Sequence, residues 1–95
     1  MFIINVKYHS PIDEINAHLE AHRQFLDAQY DKGIFIASGP QVPREGGVII
    51  ANSKVTREEL DVILADDPFK SHDLASYHIT EFAPLKHHAA LADIL

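Results

Sequence analysis

The chain has 95 residues, no cysteine, and a net charge of −6 from eight basic and fourteen acidic side chains. That is one domain's length of chain with a modest core, and it excludes disulfides, thiolate metal sites and cysteine nucleophiles. The basic residues are scattered, so no positive face is offered to nucleic acid or to an anionic membrane. The opening MFIINVKYHS lacks the basic start and long apolar core of a signal peptide. No apolar run nears the ~20 residues that span a bilayer, so the expectation is a cytoplasmic protein.

Phe2–Tyr8 alternates Phe2, Ile4, Val6 and Tyr8 with Ile3, Asn5 and Lys7, the pattern of a strand. Ser10 is placed to cap a helix with Pro11 in its first turn. That helix is expected to run to about Asp31 and to stop at Gly33. Ile15, Leu19, His22, Phe25, Leu26 and Tyr30 share one face by spacings of three and four. His22 is the polar residue inside that apolar stripe. It must find a partner or water, because an unpaired buried polar group costs about 1–3 kcal/mol.

Ile34–Ser38 reads as a second strand, ended by Gly39-Pro40, and Gln41–Gly46 as a polar loop carrying Pro43 and Arg44. Val48–Ala51 is a third strand. Thr56 and Glu59 have the capping-box spacing, opening a helix through Leu60, Ile63 and Leu64. It must stop near Asp66, because Asp67 precedes Pro68 and is pushed out of helical geometry. Phe69–Leu74 is a turn or short helix, and Tyr77–Phe82 a fourth strand ended by Pro84. The tail, residues 86–95, can form a short helix. Residues 1–95 read as one domain.

The order β-α-β-β-α-β predicts an α+β fold of the ferredoxin-like split βαβ kind, with two helices on one face of a four-stranded antiparallel sheet. Runs such as Ile34-Phe35-Ile36 and Val48-Ile49-Ile50 are apolar on both sides of a strand, so the second sheet face needs a cover. A second copy of the chain is the simplest one, which predicts a face-to-face homodimer. The topology also brings the start of the first helix, Ser38-Gly39-Pro40 and Asp67-Pro68-Phe69 to one rim.

These residues resemble the YCII-related (YciI-like) proteins, small members of the dimeric α+β barrel superfamily. The features that match are His22, Gly33 eleven residues later, Ser38-Gly39-Pro40, Pro43-Arg44 with Gly46-Gly47, the Asp67-Pro68-Phe69 turn, and Tyr77 with Phe82 and Pro84. The resemblance runs to about Pro84. It implies a catalytic histidine–aspartate pair, with the histidine at His22 and the aspartate at Asp67, and one branch of the family acts in dehydrochlorination of a hydroxylated aromatic ring. Two positions depart from the family. Leu19 stands where many members carry arginine, which removes a positive charge near the site. His72-Asp73 stands where many carry glycine, a mild change because aspartate tolerates left-handed backbone.

The expected chemistry is therefore proton transfer by His22, oriented by Asp67. His22 can equally be a satisfied core histidine, and Asp67 a cap for the turn that follows it. Ser38, Gly39, Pro40, Arg44 and Phe69 are the candidate substrate-binding residues; Ser38 can instead be a turn residue and Arg44 a solvated loop charge. His18 and His22 have a spacing used by zinc sites, but HLEAH is not HExxH and no third ligand follows, so no metal is expected. Without a nucleotide-binding motif no cofactor is expected either. The reading is a small-molecule lyase or isomerase. Its competitor is a non-catalytic metabolite-binding or structural dimeric domain with the same cleft.

Overall fold

Phe2–Tyr8 (β1) is a central strand of the sheet and organises the rest. The computed structural model describes the whole chain, Met1–Leu95. After β1 come α1 (Ile12–Ala17), α2 (Leu19–Asp31), β2 (Phe35–Pro40), β3 (Gly46–Ala51), α3 (Arg57–Ala65), α4 (Pro68–Ser71), β4 (Ala75–Glu81) and one 3-10 turn at Ala89–Leu91 in the tail. The sheet order is β2-β3-β1-β4 with every neighbouring pair antiparallel, which is the split βαβ arrangement. The fold is α+β, as its pattern of elements predicts.

Alternation decides which side of β1 is buried. Phe2, Ile4 and Val6 are buried and stand opposite Ala51, Ile49 and Gly47 of β3. They pack against Ile15, Phe25, Leu60 and Leu64 of the helices in one core cluster. Full burial of each large side chain contributes about 1.5–3 kcal/mol, and this is what holds the helices to the sheet. Ile3, Val48 and Ile50 fall on the other face and remain half-buried. The run Ile34-Phe35-Ile36 has a local cause: the register with β3 shifts between Phe35 and Ala37, so Ile36 sits in a bulge.

The long first helix is in fact two. It breaks at His18, which leaves helical geometry (φ −107°, ψ 5°). The His18 ring Nδ1 is 3.0 Å from the Glu14 carbonyl, and the His18 amide donates to Ile15 rather than to residue 14. A side chain that takes the carbonyl one turn back competes with the helical ladder. Ser10 does not cap this helix: Pro11 occupies the N-cap position and no side-chain cap bond forms. Proline supplies helix-compatible backbone there and has no N–H to satisfy. Strand ends also differ from the sequence reading. β2 reaches Pro40, which an edge strand tolerates, β3 starts at Gly46, and β4 runs from Ala75 to Glu81.

Other stops fall where their residues demand. Gly33 has φ 71°; its amide donates to Tyr30 and that of Ile34 to Gln29, closing α2 with a Schellman motif. Asp73 repeats the motif after α4 at φ 53°, with its amide on Lys70 and that of Leu74 on Phe69. Thr56 and Glu59 form the expected capping box. No helix is long and apolar enough to cross a membrane.

Two glycines near the rim separate packing from backbone freedom. A Cβ on Gly46 would overlap the Val6 carbonyl, whereas one on Gly39 meets nothing within 4 Å. Gly46→Ala is therefore expected to cost about 2 kcal/mol or more, and Gly39→Ala to stay within about 0.5 kcal/mol of the parent. Urea denaturation of both variants measures this; equal losses would contradict the register given for β3 and β1.

Candidate active site

Asp67 is fully buried. A carboxylate without contact with water must be hydrogen-bonded, or its burial costs several kcal/mol. The residue before Pro68 adopts extended geometry (φ −67°, ψ 124°), which aims its side chain back over the first turn of α4. Oδ1 accepts from the Phe69 amide at 3.1 Å and from the His22 ring Nδ1 at 2.8 Å, and Oδ2 accepts from the Tyr77 hydroxyl at 2.5 Å. The cap and the histidine partner are thus one carboxylate acting in both capacities.

This contact sets the tautomer of His22. A carboxylate can only accept, so the neutral ring carries its proton on Nδ1 and leaves Nε2 bare. Nε2 makes no hydrogen bond and is not sealed from solvent. The ring is stacked face to face on Phe69, with centroids 4.0 Å apart and planes within 10°. His22 therefore has one nitrogen pinned, one face covered and one nitrogen open.

The open nitrogen meets a cleft of about 380 Å³ between α2, the rim ends of β1, β2 and β3, and α4. His22, Ser38, Gly39, Pro40, Arg44 and Phe69 all line it, with Val6, Leu19, Leu26 and Ile49 supplying apolar wall. Asp67 stands behind His22 and does not line it. Ser38 is held by a 2.7 Å hydrogen bond to the Tyr30 hydroxyl. The Arg44 guanidinium lies 5.7 Å from the Tyr8 ring centre, a cation–π distance that places the loop arginine at the mouth. His18 is not in the cleft; its ring packs on His72, with centroids 4.3 Å apart.

The model of the YCII-related domain matches residues 1–83. The chain belongs to the YCII-related family. Among solved structures it is similar to 5-chloro-2-hydroxyhydroquinone dehydrochlorinase (TftG) from Burkholderia phenoliruptrix AC1100, in complex with 2,5-dihydroxybenzoquinone. The TM-score is 0.70 at 16% identity, over 87% of this chain and 94% of that one. At that identity the likeness is one of fold. No curated protein matches the sequence.

Two side chains of this YCII-related protein escape a reading of the sequence. Tyr77 is legible as a strand residue, but its bond to Asp67 depends on the register of β4 against β1. Arg23 lines the cleft from the same α2 stripe as Leu19, His22 and Leu26, at positions i+4, i+3 and i+7 from Leu19. A charge in an apolar stripe is easily assigned to solvent, yet Arg23 belongs to the cleft lining.

Burial, the adjacent Asp67 carboxylate and the bond to it all raise the Tyr77 phenol far above the ordinary value of 10.0. The folded state thus keeps a proton that the unfolded chain gives up above about pH 10. Stability from this group is complete below that pH and falls as pH rises, by about 1.4 kcal/mol per pH unit. Denaturant melts between about pH 9 and 11.5 are expected to show this decline in the parent and to lose that component in Tyr77→Phe. The 295 nm titration of the folded protein is expected to be the same with and without Tyr77 up to about pH 11. A Tyr77-dependent step near pH 10 would contradict the buried bond.

Proposed function

We propose that this protein is a small-molecule enzyme of the lyase or isomerase kind, in which His22 moves a proton and Asp67 orients it without a cofactor. The observation that carries the reading is the bare Nε2 of His22, turned to a cleft while Nδ1 is held by a buried carboxylate. That is the arrangement a general base needs: a free acceptor, a fixed tautomer, and a negative charge behind the ring to stabilise the imidazolium. A core histidine would have no reason to leave a nitrogen open to a cavity.

In this mechanism Nε2 takes a proton from an O–H or acidic C–H of a ring-sized substrate. The electron pair left behind moves into the conjugated system. In a lyase it expels an anionic leaving group from a neighbouring carbon, and His22 later passes its proton to water, so the elements of an acid are lost. In an isomerase the imidazolium returns the proton to another atom. Ser38 and Arg44 would hold the substrate's oxygens, with Gly39, Pro40 and Phe69 shaping the pocket. TftG, similar in fold, is named for dehydrochlorination of a hydroxylated ring and binds 2,5-dihydroxybenzoquinone, which supports a hydroxylated aromatic or related metabolite as substrate.

His22→Asn is expected to fold and to lose about 10²–10⁴-fold in rate. The assay follows chloride release from chlorinated hydroxyhydroquinones and deuterium uptake into 2,5-dihydroxybenzoquinone. Rates unchanged by His22→Asn, or binding of these rings with no turnover in the parent, would favour a cleft that only binds.

The same reading includes a homodimer. Ile3 lies opposite Ile50, and Val48 opposite Asn5, on the sheet face turned away from the core. A patch of aliphatic side chains on an open antiparallel face suits burial against its own copy. Light scattering at micromolar concentration is expected to give about twice the 10.6 kDa chain mass, and Ile50→Asp to shift it toward monomer. A monomeric parent protein would contradict the dimer.

A further inference from the structure

The cleft reverses the charge of the chain. Acidic side chains outnumber basic ones fourteen to eight overall, yet the cleft lining holds two arginines, Arg23 and Arg44, and no carboxylate. The one acid in the site, Asp67, is behind His22 with both oxygens already bonded. Low-dielectric walls lined by one sign of charge concentrate ligands of the other sign.

Neither arginine is committed elsewhere. Arg23 stands 4.0 Å from Glu20, with both side chains well exposed, and such a pair is worth about 0–1 kcal/mol. Arg44 rests on the Tyr8 ring and makes no hydrogen bond, so its planar fork of donors is free. A guanidinium fork matches a carboxylate in two parallel bonds, which a neutral hydroxyl or amide does not reproduce. A volume of about 380 Å³ is at the small end of ligand sites and suits a single ring.

Resting on the proton-transfer reading, we propose that the substrate is a planar, single-ring carboxylic acid whose carboxylate is held by Arg23 and Arg44 at the mouth, with the reacting atom toward His22 Nε2. Arg23 is then a specificity-determining residue of the site, taking an anionic group beside the catalytic histidine.

The test is calorimetric and NMR titration with benzoate, salicylate and 2-furoate, each against its own amide and against phenyl phosphate. At least one acid is expected to bind ten times tighter than its amide. Arg23→Gln and Arg44→Gln are each expected to weaken that acid about tenfold while leaving the amide unchanged. Arg57→Gln, whose side chain pairs with Asp61 outside the cleft, should change neither. Acid and amide binding alike, no acid binding at about 10 mM, tighter binding of phenyl phosphate, or indifference to Arg23→Gln would each overturn the proposal. His22→Asn should still bind the acid, so a failure of the proton-transfer reading shows separately, as turnover unchanged in that variant or absent from the parent, with acid binding intact. Turnover of neutral rings without any preference for acids would leave that reading standing and remove this one.

Discussion

A carboxylate with no access to water is the constraint on which this structure depends. Asp67 is fully buried, and its negative charge is tolerable only because three donors meet it from three elements: the His22 ring on α2, the Phe69 amide on α4 and the Tyr77 hydroxyl on β4. Removing any one leaves part of a buried charge unpaired, which costs far more than an average hydrogen bond contributes. The same three bonds join α2 and α4 to the sheet at the rim where the cleft opens. Stability and site geometry are therefore the same set of contacts.

The α2–α4 contact extends this coupling. His22 and Phe69 stack as one rung, and His18 and His72 pack as the next, one turn along each helix. The break at His18 is part of this arrangement, since its ring bonds the Glu14 carbonyl as well as facing His72. Asp73 then takes the left-handed position that closes α4. A short helix of four residues has little stability of its own; here its cap, its closing turn and its stacked rings hold Phe69 against the histidine. The ring stacking and the carboxylate fix His22 in two independent directions, which is what a positioned acid–base group requires.

Much of this was legible in the sequence because local rules and topology agree. Alternation in Phe2–Tyr8, the Thr56–Glu59 capping box, Gly33 and the Asp67-Pro68 stop all act within a few residues, and they set the element order. The split βαβ order then brings the end of α3 and the end of β2 to one rim, so connectivity places Asp67 near the first helix, while its pairing with His22 is what the family resemblance implied. What was not legible depends on register and side-chain choice. The meeting of Tyr77 with Asp67 needs the pairing of Val6 with Tyr77. The kink at His18 needs its ring to prefer a carbonyl over solvent. Arg23 looks like an ordinary surface charge until the mouth of the cleft is seen to run along its side of α2. Ser10 failed as a cap because Pro11 had already taken the position.

The central claim is that Asp67 holds the His22 proton on Nδ1 and so presents a bare Nε2 to the cleft. The most direct measurement is long-range ¹H–¹⁵N NMR of the His22 ring, which distinguishes the two tautomers, in the parent protein and in Asp67→Asn. The account predicts a neutral ring protonated on Nδ1 in the parent, and loss of that preference in Asp67→Asn, where an amide can donate as well as accept. A proton on Nε2 in the parent, or a tautomer indifferent to Asp67→Asn, would contradict it.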